Sequence, residues 1–189
     1  MISKVELRRS LLKKRQSLPP EVWREKSKLL CNHLQSSTIF NQAQTVLAYF
    51  SFKQEPDLST LFFTESKRQW VLPRCAGNSL SWHIWKPGEA LQKSNYGIFE
   101  PAPTAPSIQS TEADLMLVPA VACDRRGYRL GYGGGFYDRL LSLSEWNSIP
   151  TIGIVLEQAF LPQLPIDDWD KPLQGVCTEL ELKILPTQT

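Results

Sequence analysis

The sequence predicts an α/β fold around a mixed, mainly parallel sheet, because strand-forming and helix-period stretches alternate along it, with a few strands adjacent. Three stretches carry the prediction. Residues 46–52 (VLAYFSF) are rich in strand formers, and residues 149–156 (IPTIGIVL) form the near-continuous apolar run of a central parallel strand. Residues 118–141 (VPAVACDRRGYRLGYGGGFYDRLL) lead from a buried strand at 115–118, through a glycine-rich turn, into a helix at 136–143.

The elements can be justified in order. Ser3 to Glu6 match a capping box, and the helix they start carries Leu7, Leu11 and Leu18 on one stripe before Pro19-Pro20 stops it. Lys4 and Arg8 lie one turn apart, so both heads can reach one anion, whereas Arg9, Lys13 and Lys14 point elsewhere into solvent. Pro20 suits the first turn of a second helix with Trp23, Ser27, Leu30 and Leu34 along one face. After the strand at 46–52 comes Glu55, at the end of a strand where α/β sheets collect ligands. Asp57 can cap a short helix bearing Leu58, Leu61 and Phe62. Residues 69–72 and 80–85 read as strands separated by Ala76-Gly77-Asn78, with Trp82 and Trp85 as core or pocket wall. Residues 86–106 read as a proline-stiffened loop, and 178–184 as a last strand with Thr178, Leu180, Leu182 and Ile184 on one face. Asp167 and Asp168 are placed in an exposed turn.

Composition bounds the function. The 189 residues suffice for one domain, 1–189, with a proper core. A hydrophobic share of 42% and a charged share of 21% describe an ordinary soluble globule. No apolar run approaches a membrane span, and the N-terminus carries Arg and Lys without an apolar core, unlike a signal peptide. Cys31, Cys75, Cys123 and Cys177 lie far apart, which reads as reduced, mostly buried thiols in a cytoplasmic protein and argues against zinc. His33 and His83 supply histidine chemistry poorly, and His83 sits in a strand-like run where a structural role is expected. The net charge of +2 conceals nine basic and three acidic residues in 1–28, which invites an anionic partner.

The glycine stretch gives that anion a place. Gly131, Gly133, Gly134 and Gly135 fall within five positions, flanked by Arg129 and Arg139 and closed by Asp138. Without Cβ atoms the backbone can approach a ligand closely and present free N–H groups to phosphate. Asp138 suits Mg²⁺ arriving with a nucleotide. Walker A would need Lys-Ser/Thr where Phe136-Tyr137 stand, and the dinucleotide fingerprint would need glycine at Phe136. The loop is neither.

The stretch PAVACDRRGYRLGYGGGFYDRLL resembles the signature of 5-formyltetrahydrofolate cyclo-ligases, also called methenyltetrahydrofolate synthetases. The likeness extends to KVELR at the N-terminus, YFSFKQE, GIFEP at 97–101, and Asp170 ahead of VCTELEL. It implies a compact three-layer, Rossmann-like monomer that uses ATP and Mg²⁺ to cyclise 5-formyltetrahydrofolate to 5,10-methenyltetrahydrofolate, releasing ADP and phosphate, with no nucleic-acid or membrane partner. By the same resemblance, Lys4, Arg8, Arg129, Leu130, Gly131, Tyr132, Gly133, Gly134, Gly135, Phe136 and Tyr137 hold ATP, and Arg129 and Asp138 are catalytic. Phe50, Glu55, Tyr132 and Tyr137 meet the reduced folate, and Asp138 and Asp170 hold the metal. The chain departs from the pattern at Cys123, where relatives often have Phe, and at Gly134, where some have Lys; the second shifts phosphate binding towards Arg129, Lys4 and Arg8.

Two other readings stand beside this one. A different phosphometabolite or ATP-binding enzyme would need a base or nucleophile near the loop, and no such His or Cys is evident. A nucleic-acid module using residues 4–28 would bind with steep salt dependence, although the rest of the chain is acidic.

Overall fold

The computed structural model describes residues 3–186. Helices α1 (Lys4–Gln16), α2 (Pro20–Gln35) and α3 (Thr38–Gln42) precede strand β1 (Thr45–Leu47). Helix α4 (Ser59–Thr64) leads to the hairpin of β2 (Gln69–Ala76) and β3 (Ser79–Ile84), and then to β4 (Gln92–Lys93) and β5 (Phe99–Glu100). Strands β6 (Leu115–Pro119), β7 (Ala122–Asp124) and β8 (Arg129–Leu130) run into α5 (Phe136–Ser142) and α6 (Ser144–Asn147). Last come β9 (Thr151–Ile154), β10 (Phe160–Leu161), β11 (Gly175–Cys177) and β12 (Leu182–Ile184).

The main sheet has the order β12-β11-β9-β6-β1-β2-β3. The four pairings from β11 to β2 are parallel, and β3 and β12 close the two edges antiparallel. Strand alternation sends side chains to opposite faces. On one face Val46, Trp70, Leu72, Leu115, Leu117, Ile152 and Ile154 pack with Leu30, Leu34, Phe40, Leu61 and Phe62 of α2, α3 and α4. On the other, Leu47, Val71, Met116, Val118 and Val176 pack with Leu140 and Leu141 of α5, with Leu7 and Leu11 of α1 against them. The result is the expected three-layer α/β architecture on a mixed, mainly parallel sheet.

Local signals behave as their chemistry dictates. Ser3 Oγ accepts the Glu6 N–H (3.2 Å) while Glu6 Oε2 accepts the Ser3 N–H (3.0 Å), completing the capping box of α1. Pro20 opens α2 at a position that needs no N–H. His83 is buried, bonding Ser81 Oγ and the Ala105 carbonyl, a structural arrangement.

Four expectations are corrected. The strand at 46–52 ends at Leu47: Ala48 still donates to Val71 O, but the following aromatics leave the sheet, and Tyr49 Oη donates to Pro56 O (2.7 Å). Aromatic residues fit a strand or a pocket wall equally well, and here tertiary contacts decide. Of the last strand expected at 178–184 only β12 is strand: Thr178 Oγ1 accepts from Leu180 and Glu181 N–H and turns the chain from β11 into β12, so Thr178 is buried while Leu180 and Ile184 are exposed. The loop at 86–106 contains the β4–β5 ribbon. Asp57 lies just ahead of α4, binding Ser59 N–H and Oγ, while Leu58 takes the cap position.

Candidate functional site

The glycine loop joins β8 to α5 on the face that α1 covers. Gly133 (φ 103°) and Gly135 (φ 65°) take left-handed conformations, which L side chains adopt only under strain. Arg8 reaches across from α1, donating from Nε to Gly131 O (2.7 Å), with its guanidinium lying over Gly133. Arg129, almost fully buried, donates to Asp138 Oδ1 (2.8 Å) and to Lys171 O (3.3 Å), so the loop, α5 and the 170 segment meet on one cation. Arg139 ties Gly134 O to Asn78 O at the tip of the β2–β3 hairpin.

Opposite the loop, the chain leaving β1 makes a tight turn. Lys53 (φ 47°) and Gln54 (φ 56°) are left-handed, the only non-glycine residues so placed among the described residues. Such backbone costs of order 1–3 kcal/mol per residue and persists only where its surroundings hold it. Here Ser51 Oγ and Trp23 Nε1 both donate to Glu55 O (2.8 and 2.9 Å), and Phe52 N–H donates to the Glu55 carboxylate (3.0 Å). Glu55 is 4% exposed. Burial pushes its pKa up to about 7, against the opposing pull of the Arg15 guanidinium, the Phe52 N–H and the Tyr132 hydroxyl.

Between turn and loop lies a cavity of about 450 Å³. Phe50, Glu55, Arg129, Gly131 and Tyr132 line it, with Gly134 through Asp138 completing the loop side. The Tyr137 hydroxyl is buried there with no hydrogen-bond partner among the described residues, and desolvation, then the Glu55 charge, holds it firmly protonated. A buried donor without a partner is costly, and a ligand polar atom would satisfy it. Cys75 also borders the cavity, but burial and then the Glu100 carboxylate push its thiol up to about 11, leaving a poor nucleophile near neutral pH.

The other residues singled out from sequence fall outside the cavity wall. Leu130 is buried in the core and lends the loop only its backbone, accepting from Val121 N–H. Lys4 Nζ bridges Asp167 (2.6 Å) and Asp170 (2.5 Å); Asp167 is exposed in its turn, as expected, and carries this ion pair as well. Partial burial works against that ammonium, yet its two carboxylate partners outweigh the cost and raise its pKa. Asp170 Oδ2 also accepts the Asp167 N–H (2.8 Å). Lys4 and Asp170 thus stand one residue beyond the Lys171–Arg129 link.

Sequence reasoning missed Arg15. It is 4% exposed on the last turn of α1 and donates to Lys53 O (3.1 Å), Ala120 O (3.2 Å) and the Tyr132 hydroxyl. Its signal was the seven-residue spacing from Arg8, which puts both on one stripe of the helix. Tyr96, Ile98 and Glu100, from the segment read as loop, also wall the cavity.

The comparisons with known proteins agree with this architecture. A family model described as the 5-formyltetrahydrofolate cyclo-ligase family matches residues 1–179. The chain is 34% identical to the 5-formyltetrahydrofolate cyclo-ligase of Mycolicibacterium smegmatis, covering 93% of each chain. It is 30% identical to the enzyme of that name from Escherichia coli K12, over 87% of this chain and 94% of the relative. The NMR structure of Aquifex aeolicus 5,10-methenyltetrahydrofolate synthetase superposes with a TM-score of 0.87 at 32% identity, covering all of this chain and 95% of that one.

Proposed function

The chain belongs to the 5-formyltetrahydrofolate cyclo-ligase family, and from that premise we propose that it uses Mg-ATP to convert 5-formyltetrahydrofolate to 5,10-methenyltetrahydrofolate through an iminium phosphate. The observation that carries the reading is the single cavity bounded on one side by the glycine loop and on the other by the Glu55 carboxylate. A phosphate-binding backbone and a pterin-binding carboxylate thereby face one space, as a transfer between two substrates requires.

The formamide oxygen of the folate takes the terminal phosphoryl group, ADP leaves, and the C–O bond gains leaving-group character. N10 then attacks the same carbon, loses its proton, and phosphate departs with the oxygen. No covalent enzyme intermediate is needed, so the chain's work is alignment and charge neutralisation. Arg129, Arg8 and Lys4 supply the cations, Arg8 reaching the loop and Lys4 the 170 segment from α1. The Glu55 carboxylate accepts from the pterin N–H groups, Phe50 and Tyr132 lie against the ring, and Tyr137 Oη offers its free donor. Gly131 through Tyr137 lie along the polyphosphate.

Asp138 and Asp170 would hold Mg²⁺. Among the described residues no three His, Cys, Asp or Glu side chains form a closed metal site. Two carboxylates instead suit Mg²⁺, which keeps several waters and arrives with a polyphosphate whose charge it neutralises. Each carboxylate now has a cation partner, Arg129 for Asp138 and Lys4 for Asp170. Phosphate oxygens would give those cations a second anion to bind.

Residues 1–189 are read as one cyclo-ligase domain acting as a cytoplasmic monomer. Four unpaired cysteines support a reducing compartment. Among the described residues, no helix is long and apolar enough to cross a membrane. The test is incubation with Mg-ATP and 5-formyltetrahydrofolate while following the ultraviolet absorbance of the methenyl product. ADP must form in step with it; product without ATP refutes the reading.

A further inference from the structure

Arg15 buries a full positive charge at the foot of the site, yet among the described residues no carboxylate lies at ion-pair distance from it. All three donors that bond do so to neutral oxygens. For docking α1 alone, an apolar residue of similar volume would serve without the desolvation cost of a buried cation. The three acceptors belong to three separate parts: Lys53 O to the left-handed turn that presents Glu55, Ala120 O to the chain just beyond β6, and Tyr132 Oη to the glycine loop. The turn's other left-handed residue is held from the same helix end, the Gln54 amide lying against the Arg15, Gln16 and Leu18 carbonyls. One rigid guanidinium therefore measures the gap between the two sides of the cavity, which Lys, a point charge, cannot do.

We infer that Arg15 is a positioning residue that sets the distance between the Glu55 carboxylate and the glycine loop, and so the alignment of folate against nucleotide. The inference rests on the reading of Glu55 as a pterin contact. Other ionisable groups also face that carboxylate: Tyr132 on the loop, Tyr137 on α5, and Tyr49 on the chain leaving β1.

The test compares Arg15→Met, Arg15→Lys, Glu55→Gln and the Arg15→Met/Glu55→Gln double variant of the full chain. Each is checked by near-ultraviolet circular dichroism and assayed for the KM of each substrate and for kcat between pH 5.5 and 8.5. Displacing a reacting group by an ångström is worth on the order of a hundredfold. Arg15→Met is expected to lose about that in kcat/KM for 5-formyltetrahydrofolate, with the KM for ATP little changed. The loss should shrink markedly in the Glu55→Gln background, and the pH limb of Glu55 should move upward. Equal effects on both substrates, or an undiminished loss in the double variant, would overturn the inference while leaving the Glu55 reading intact. A Glu55→Gln enzyme with unchanged folate KM would instead overturn that reading, and this inference with it. Should Arg15→Met not fold, Arg15→Lys carries the test, with the same direction expected.

Discussion

Replacing Glu55 with Gln probes a carboxyl group whose ionisation the fold opposes. Glu55 titrates at 4.5 when free and is pushed up to about 7 by burial in the folded chain, despite the Arg15 guanidinium. A tenfold change in proton affinity is worth about 1.4 kcal/mol, so the displacement amounts to about 3 kcal/mol. The sign follows from proton counting. Between pH 4.5 and about 7 the folded carboxyl keeps a proton that the unfolded one has released, so stability falls as pH rises through that window and levels off above it. Gln carries no such proton. Urea denaturation of both proteins at half-unit steps from pH 4.5 to 8 should give a difference curve, wild type minus variant, that declines by about 3 kcal/mol and then flattens. A flat difference within about 0.5 kcal/mol would mean that the carboxyl ionises as in water. A rising difference would mean that Arg15 holds it charged, and the burial argument would fail. In turnover assays the same substitution should raise the KM for 5-formyltetrahydrofolate much more than that for ATP, because an amide donor would then face a pterin donor.

Further outcomes are expected at other positions. Lys4→Ala removes the bridge to Asp167 and Asp170 and should raise the KM for ATP about tenfold, a loss near 1.4 kcal/mol, while the folate KM holds. Asp138→Asn leaves the buried Arg129 without its anion and should lower kcat by roughly a hundredfold at saturating Mg²⁺, read in the methenyl absorbance assay. Gly127→Ala places a Cβ at φ 89° and 2.3 Å from the Leu173 carbonyl oxygen, so it should cost roughly 2–4 kcal/mol in urea unfolding, with no effect assigned to substrate binding.

What the sequence revealed follows how local each signal is. The Gly-Gly-Gly-Phe-Tyr-Asp run, the capping box at Ser3 and the Pro20 helix start act within a few residues, and the structure has them where the pattern puts them. The buried run through β9 was legible because a strand covered on both faces must be apolar throughout. The early end of β1 was not, because Tyr49 and Phe50 have the same propensity in a sheet as in a wall. The turn between β11 and β12 was hidden because Thr178 makes it without glycine or proline. Arg15 reads as one of several basic residues on a basic helix, and only the meeting of residues 53, 120 and 132 distinguishes it.

The way α1 is anchored bears on how the protein is made. Arg15 finds Ala120 at a separation of 105 residues, Arg8 finds Gly131 at 123, and Lys4 finds Asp170 at 166. The helix is made well before most of the acceptors that fix its inward stripe; only the Lys53 carbonyl follows at a separation as short as 38 residues. At about 5–20 residues per second, roughly ten seconds pass before the glycine loop follows it. Until then Arg15 has only the Lys53 carbonyl to dock upon, and closing the longer loops is the slow, entropy-limited part of folding. A nascent chain ending before Asp167 would have Lys4 without either carboxylate partner and the site unfinished, so this bridge can form only once the segment carrying Asp167 and Asp170 has been made.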